Sequence, residues 1–214
     1  MAFNFLFILI IFDMGFSYNT RYGSELYQDG KNARNSALGG VSMSYADCCN
    51  PILLKNNKIP SIHFSHKNKF GGLARVTILS YFHPGAKHPV YFSLTNRLVD
   101  NIPDTRLAWV DNGNSFPESG EIDYFNIHEI IQQEVGMQLS TVRSWGPYTL
   151  GFNVKPSFTS LAEFMSYGIT FDVAAMIQPI KKLDVMLRLE DIVGIEYWDS
   201  DIVETISPMI MGGM

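Results

Sequence analysis

The sequence predicts an all-β protein of about eight antiparallel strands. Three observations favour this fold class. Apolar and polar residues alternate with a period of two through most of the chain after Pro60, so each such segment has one apolar and one polar face. Turn-forming residues separate these segments, as at Pro84-Gly85 and Gly146-Pro147. No segment shows the periodicity of a long amphipathic helix.

The composition excludes several classes of protein. The chain has 214 residues, which predicts one domain or two small ones. Hydrophobic residues make up 46% and aromatic residues 13%, whereas charged residues make up only 17%, and disordered proteins have the opposite balance. A formal net charge of −5 argues against a nucleic-acid partner, because no basic stripe is available to meet phosphates. Two cysteines exclude a disulfide scaffold.

Residues 1–17 are expected to be a signal peptide. The apolar run Phe5–Phe12 is too short to span a bilayer as a helix, but it has the length of the apolar segment of an export signal. Small residues at Gly15 and Ser17 suit cleavage after Ser17. The basic residue that usually precedes such a run is missing, since the first one in the chain is Arg21. The alternative is a buried N-terminal strand.

The alternation predicts the strands in order. Seven segments follow it: Ile62–His66, Leu73–Phe82, Val90–Leu94, Val135–Leu139, Tyr148–Lys155, Tyr167–Val173 and Leu183–Glu190. A further strand is expected near Ile206–Ile210. Two longer polar stretches, Asp100–Gly120 and Asp191–Asp201, are predicted to be loops. Many of the strands approach the length that a tilted strand needs to cross a bilayer.

The alternation alone does not decide which way the apolar faces point. In a soluble β-sandwich they would face a core, whereas in an outer-membrane β-barrel they would face lipid and the polar faces would line the interior. The barrel is favoured by the export signal and by the small uncharged residues on the polar faces. Aromatic residues near strand ends also favour it, because Tyr81, Trp145, Tyr148 and Tyr197 lie where an interfacial girdle would place them.

The stretch Ala33–Leu54 carries a family resemblance. It contains Ala-Arg, Leu-Gly-Gly, Ala-Asp and Asn-Pro in that order, at positions 33–34, 38–40, 46–47 and 50–51. This order resembles the entry region of PorV/PorQ-like outer-membrane proteins, which belong to the wider group of barrels similar to the FadL long-chain fatty-acid transporters. Further matching motifs are Phe64-Ser65-His66, Phe70-Gly71-Gly72, the loop Asp100–Arg106 and Asp123-Tyr124-Phe125.

The resemblance implies an antiparallel transmembrane β-barrel in the cell outer membrane. Residues 18–60 would form an N-terminal entry or plug segment, with Asn50 and Pro51 in a possible gating position, and residues 61–214 would form the strands. The implied function is a part in type IX-like protein secretion or the passage of hydrophobic molecules. The implied partners are outer-membrane lipid and either secretion-machinery proteins or hydrophobic ligands. The alternative is a soluble exported β-sandwich that binds a ligand or a partner.

The C-terminal residues suggest an incomplete barrel. Barrels of this family are longer and commonly end in an aromatic residue, whereas this chain ends with Met209–Met214. A truncated chain would leave two strand edges unpaired, near Ile62–His66 and near Ile206–Ile210. The competing expectation is a small closed barrel in which these two strands pair directly.

Four charged residues on the polar faces are candidates for the lining of the barrel interior: Asp172, Asp184, Arg188 and Glu190. Paired charges there would offset their desolvation, either as internal packing or as a lining that a substrate contacts. No G-x-S-x-G, P-loop or G-x-G-x-x-G motif occurs, and Cys48-Cys49 has no catalytic base that the sequence can place. We therefore expect no enzyme, no cofactor and no metal site, and a β-rich hydrolase is a weaker third class.

Overall fold

A computed structural model describes residues 25–28, 50–85, 88–111, 113–116, 118, 120–180 and 183–213. The expected signal peptide and Cys48-Cys49 lie outside the described residues. The helices within these ranges are α1 (Glu25–Gln28) and the 3₁₀ helices Pro51–Asn56, Phe70–Gly72 and Tyr124–Asn126. The strands are β1 (Ser61–Lys69), β2 (Ala74–His83), β3 (Val90–Asp104), β4 (His128–Trp145), β5 (Tyr148–Leu161), β6 (Phe164–Ile180), β7 (Leu183–Trp198), β8 (Val203–Thr205) and β9 (Met209–Gly213).

All the described strands belong to a single antiparallel sheet, which confirms the all-β fold class. Strands β1 to β8 follow one another in sheet order, and β9 pairs with β7 beside β8. The sheet is not closed, because in the described chain β1 pairs with β2 and β9 pairs with β7. The expectation of a small closed barrel with direct pairing between the first and last strands is therefore wrong for these residues.

The two ends of the sheet carry different connections. At one end, called the turn end, lie the short connections from β2 to β3, from β4 to β5 at Gly146-Pro147, and from β6 to β7. At the opposite end, called the loop end, residues 105–127 form a long connection between β3 and β4. Strand β1 starts at the turn end, since Ser61 pairs with Phe82 just before the first of these connections.

Strand β7 corrects the prediction of a loop over Asp191–Asp201. The strand continues to Trp198. The alternation of apolar and polar residues breaks within it because a β-bulge shifts the register there. Phe171 pairs with Val193 and Val173 pairs with Leu189. The residues from Phe171 to Val173 on β6 therefore lie opposite the longer stretch from Leu189 to Val193 on β7, which is a bulge. After the bulge, Val193, Ile195 and Tyr197 resume the exposed apolar series. The other predicted loop also starts later than expected, since β3 runs to Asp104.

The sheet is inverted relative to a sheet of a soluble protein. On β5 the side chain of Phe152 is 45% exposed, whereas its neighbour Asn153 is 1% exposed. On β7 Leu187 is exposed and Arg188 is buried. The apolar outer face includes Leu79, Leu94, Met137, Leu139, Phe152, Ile169, Phe171, Leu187, Val193 and Ile195. The described sheet thus presents apolar side chains outward and polar ones inward, as the barrel hypothesis requires.

Arg106 joins the start of the long loop to the hairpin between β5 and β6. Its Nη2 and Nε atoms donate to the Asp104 carboxylate at 2.7 and 2.9 Å, and its Nη1 donates to Glu163 Oε1 at 2.6 Å. Hydrogen bonds from Arg106 hold the pKa of Asp104 at about 2 and lower the pKa of Glu163 below its ordinary value. We call these three residues the loop clamp.

Acid should release the loop clamp. The folded-state pKa values of both carboxyls are depressed, so the clamp stabilises the folded loop above the unfolded pKa values, about 3.9 for Asp and 4.3 for Glu. Its contribution is lost as the pH falls through the folded pKa, which for Asp104 is about 2. A carbon-detected NMR titration should give Asp104 a midpoint near that value, and Arg106→Gln should move it up. A wild-type midpoint equal to that of the variant would contradict the clamp.

Candidate functional site

The inner face of the sheet is lined by buried polar side chains. They come from the residues that alternate with the exposed apolar series, so each strand from β2 to β7 contributes some of them. The buried set comprises Ser80, Ser93, Thr95, Glu134, Gln138, Ser140, Thr149, Asn153, Lys155, Thr159, Ser166, Thr170, Asp172, Arg188 and Asp191. Buried polar groups are costly unless they find partners, so their contacts define the candidate site.

Asp172 lies at the centre of an ion cluster built by β5, β6 and β7. Lys155 Nζ lies 2.7 Å from Asp172 Oδ1 and 2.7 Å from Asp191 Oδ1. Arg188 Nη2 lies 3.4 Å from Asp172 Oδ2 and 2.5 Å from Glu190 Oε1. The Asp172 side chain is fully buried. Three carboxylates thus meet two cations in a nearly dry site, and each charge has an opposite charge beside it.

Two further donors complete the coordination of Asp172. Asn153 Nδ2 donates to Asp172 Oδ2 at 2.8 Å, and the backbone N–H of Asp191 donates to Asp172 Oδ1 at 3.0 Å. The second bond depends on the bulge in β7, where Asp191 has a φ of +48°. Asp tolerates this left-handed conformation better than most residues. The bulge therefore turns the side chain and the N–H of Asp191 inward, toward Lys155 and Asp172.

Helix α1 packs against the inner face beside this ion cluster. The ring of Tyr27 lies 5.4 Å from Lys155 Nζ, within the range of a cation–π contact. Gly136 permits the approach, because a Cβ at that position would lie 2.6 Å from both Leu26 Cδ2 and the Tyr27 hydroxyl. Burial raises the pKa of Tyr27, and the charge of Asp172 raises it further. The hydroxyl therefore remains a proton donor.

The Tyr27 hydroxyl also lies where the hydrogen-bond ladder between β4 and β5 is interrupted. The register on either side of the interruption, Gly136 with Ser157 and Leu139 with Val154, places Met137 opposite Pro156. Proline has no N–H, so it cannot donate a ladder hydrogen bond. The Tyr27 hydroxyl lies between the two facing carbonyls, 2.5 Å from that of Pro156 and 3.1 Å from that of Met137, so either carbonyl can accept its proton.

The 3₁₀ helix Pro51–Asn56 covers the turn-end half of the inner face. Asn50 caps it, since Asn50 Oδ1 accepts from Ile52 N at 3.2 Å, and Pro51 occupies the first turn, where no N–H is needed. Two apolar clusters hold the helix: Ile52 and Leu53 with Ala174, Met176 and Met186, and Leu54 with Phe82, Tyr91 and Val142. The predicted plug residues therefore lie buried against the inner face.

The four predicted lining residues divide into two groups. The structure brings Asp172, Arg188 and Glu190 together in the ion cluster, but Asp184 lies apart and its Oδ1 accepts from Gln178 Nε2 at 2.9 Å near the turn end. Sequence reasoning missed Lys155 and Asp191 as members of the cluster. The alternation already placed Lys155 on the polar face of β5, so its charge opposite to Asp172 was a usable signal. Asp191 gave no such signal, because its inward direction depends on the bulge.

No helix among the described residues has the length and apolar character needed to cross a bilayer. In the same part of the chain, His, Cys, Asp and Glu side chains form no group that could hold a metal ion. No protein-family model matches the sequence, and no match is found among curated proteins or solved structures.

Removing the cation that bridges Asp172 and Asp191 should be strongly destabilising. Lys155→Met leaves Asp172 and Asp191 facing each other without their shared ammonium group, and breaking a buried ion pair in this way costs about 3–5 kcal/mol. Equilibrium urea unfolding in detergent measures the loss. Arg106→Gln, which breaks ion pairs on the surface, is the control and should change the free energy of unfolding much less. Equal effects of the two changes would show that the cluster contributes no special stability.

Filling the space at Gly151 should displace the 3₁₀ helix. A Cβ there would lie 2.8 Å from Pro51 Cβ and 3.0 Å from Ile52 N, and overpacking of this kind costs about 1–3 kcal/mol. Gly151→Ala should therefore lower the free energy of unfolding and speed hydrogen exchange of the Leu53 amide. Gly212→Ala is the matched control in β9, since nothing lies within 4 Å of its added Cβ. Unchanged exchange in Gly151→Ala would refute the close packing.

Proposed function

We propose that the chain is an outer-membrane β-barrel protein of the PorV/PorQ type that acts in type IX-like protein secretion. The inverted sheet carries this proposal. A continuous exposed apolar face is unfavourable in water but is the lipid-facing surface of a membrane strand. The buried charges of the inner face are then kept from lipid by the same strands that expose Phe152, Ile169 and Leu187.

The positions of the exposed aromatic residues fit the thickness of a bilayer. Tyr81, Trp145 and Tyr148 lie near the turn end, and Tyr167 and Tyr197 lie near the loop end. Tyr148 pairs with Ile177 and Phe158 pairs with Tyr167, so ten residues along β5 separate the two levels. This is a rise of about 33 Å along the strand, or about 25 Å across the membrane at a tilt of about 40°. The apolar band of outer-membrane barrels has this height.

The connections support one orientation. Outer-membrane barrels have short periplasmic turns and longer extracellular loops, so the turn end would face the periplasm and residues 105–127 would face outward. A bilayer also requires every strand edge to be paired. The proposed state therefore requires β1 to pair with a strand outside the described sheet.

Two roles remain within this proposal, and the inner face favours secretion. Passage of hydrophobic molecules would need a continuous apolar path through the interior. The described inner face has apolar clusters at the turn end, where Ile52 and Leu54 fill them, and hydroxyl, amide and ionised groups beyond. A soluble β-sandwich would need two sheets packed face to face, whereas the described strands form one.

Introducing a charge on the outer face should show whether that face contacts lipid or water. Val193 on β7 is 52% exposed. It lies about midway between the two aromatic levels, because it pairs with Phe171, and Phe171 pairs with Val154 near the middle of β5. In lipid, Val193→Arg near the midplane should cost about 2–4 kcal/mol of insertion free energy, measured by refolding into vesicles. Val110→Arg, the same change in the long loop, should cost almost nothing. If both variants refold like the wild type, the outer face does not contact lipid.

Deleting the gene for this protein should distinguish a role in secretion from a role in the passage of hydrophobic molecules. If it acts in secretion, surface delivery of exported proteins should fall while uptake of a long-chain fatty acid stays normal. Val110→Arg should restore secretion and Val193→Arg should not, because only the second disrupts the lipid-facing surface. Normal secretion together with reduced fatty-acid uptake would overturn the secretion role and favour passage.

A further inference from the structure

A basic pocket lies at the turn end of the sheet, apart from the ion cluster. It has a volume of about 550 Å³, which is within the range of small-molecule sites. Lys55 and Lys58, at the end of the 3₁₀ helix Pro51–Asn56, line one side of the pocket. Pro84, Gly85, His88 and Pro89, between β2 and β3, and the end of β4, with Arg143 and Trp145, line the other sides.

The charge of this pocket is one-sided. Lys55, Lys58, His88 and Arg143 line it, and no carboxylate does so in the described chain, although the whole sequence has a net charge of −5. The ion pairs among the described residues involve none of these four side chains. Lys55, Lys58 and Arg143 thus bring three positive charges to one cavity, with no ion-pair partner among the described residues, and they create a positive potential that attracts anions.

Two contacts hold basic groups at the pocket. Lys58 Nζ donates to the backbone carbonyl of Lys55 at 3.3 Å, at the C-terminal end of the 3₁₀ helix. The guanidinium of Arg143 lies 4.8 Å from the centroid of the Trp145 ring, which is a cation–π contact. A cation held in place in this way loses less conformational freedom when a ligand binds.

We propose that this pocket binds an anion that carries a phosphate group. A phosphate has several oxygens that accept charge-assisted hydrogen bonds from separate cations, which suits a cavity lined by two lysines and an arginine. The cavity is larger than a single ion needs, so it has room for a group esterified to the phosphate. Trp145 belongs to the turn-end aromatic level, where an interfacial residue meets lipid headgroups. A lipid headgroup and a free phosphate share this chemistry.

Calorimetry on the full chain in dodecyl maltoside tests the proposal with three probes: inorganic phosphate, short-chain phosphatidylglycerol and short-chain phosphatidylcholine. The wild type should bind phosphatidylglycerol in preference to phosphatidylcholine, whose headgroup has no net charge. The double variant Lys58→Gln/Arg143→Gln should weaken that binding at least tenfold. Arg106→Gln, a loss of charge at the loop end, is the control and should bind like the wild type.

The probes also distinguish the source of the phosphate. Binding of phosphatidylglycerol without inorganic phosphate would support a lipid headgroup, and binding of both would support a site for phosphate in either form. Equal binding by the wild type and the double variant, or no binding of either anion, would overturn the proposal. The lipid source of the phosphate rests on the proposed function, whereas the anion site itself rests on the pocket and its charges. Vesicle insertion and anion binding are measured separately, so the two proposals can fail separately.

Discussion

The pairing of Lys155 with Asp172 and Asp191 lets this sheet keep its polar face buried. An unpaired charge in that position would lower the free energy of unfolding by several kcal/mol. It would destabilise three neighbouring strands, because the cluster takes residues from β5, β6 and β7. The pairing instead joins β5, β6 and β7 through one ammonium group. The charged residues of these strands find their partners on the inner face. The residues that alternate with them point to the outer face and are apolar. The inverted sheet therefore rests on the ion cluster as much as on the outer face.

The segments before β1 complete the inner face in two different ways. Helix α1 places the Tyr27 hydroxyl between the carbonyls of Met137 and Pro156, where the proline interrupts the β4–β5 ladder. The 3₁₀ helix Pro51–Asn56 supplies apolar side chains to the two apolar clusters at the turn end of the inner face. Gly136 and Gly151 permit these approaches, since any side chain there would collide with the segment above it. The inner face and its cover thus fit each other locally.

Local pattern predicted the sheet but not the details that long-range contacts decide. The period of two identified the outward position of Phe152 and the inward position of Asn153, because each strand repeats it independently. Asp172 and Arg188 could be placed on one face for the same reason. The inward turn of Asp191 could not, since a bulge changes the register without a distinctive sequence. The role of Tyr27 depends on a partner more than a hundred residues away, and no local signal reports it.

The most direct measurement of the central claim, that the apolar face meets lipid, is the pattern of nuclear Overhauser effects between lipid acyl protons and labelled methyl groups in nanodiscs. Ile169 and Leu187 lie on the outer face, and Thr170 and Met186 lie on the inner face. An apolar face in contact with lipid predicts acyl contacts to the first pair and none to the second. Acyl contacts to the inner pair, or contacts to water alone at the outer pair, would contradict it.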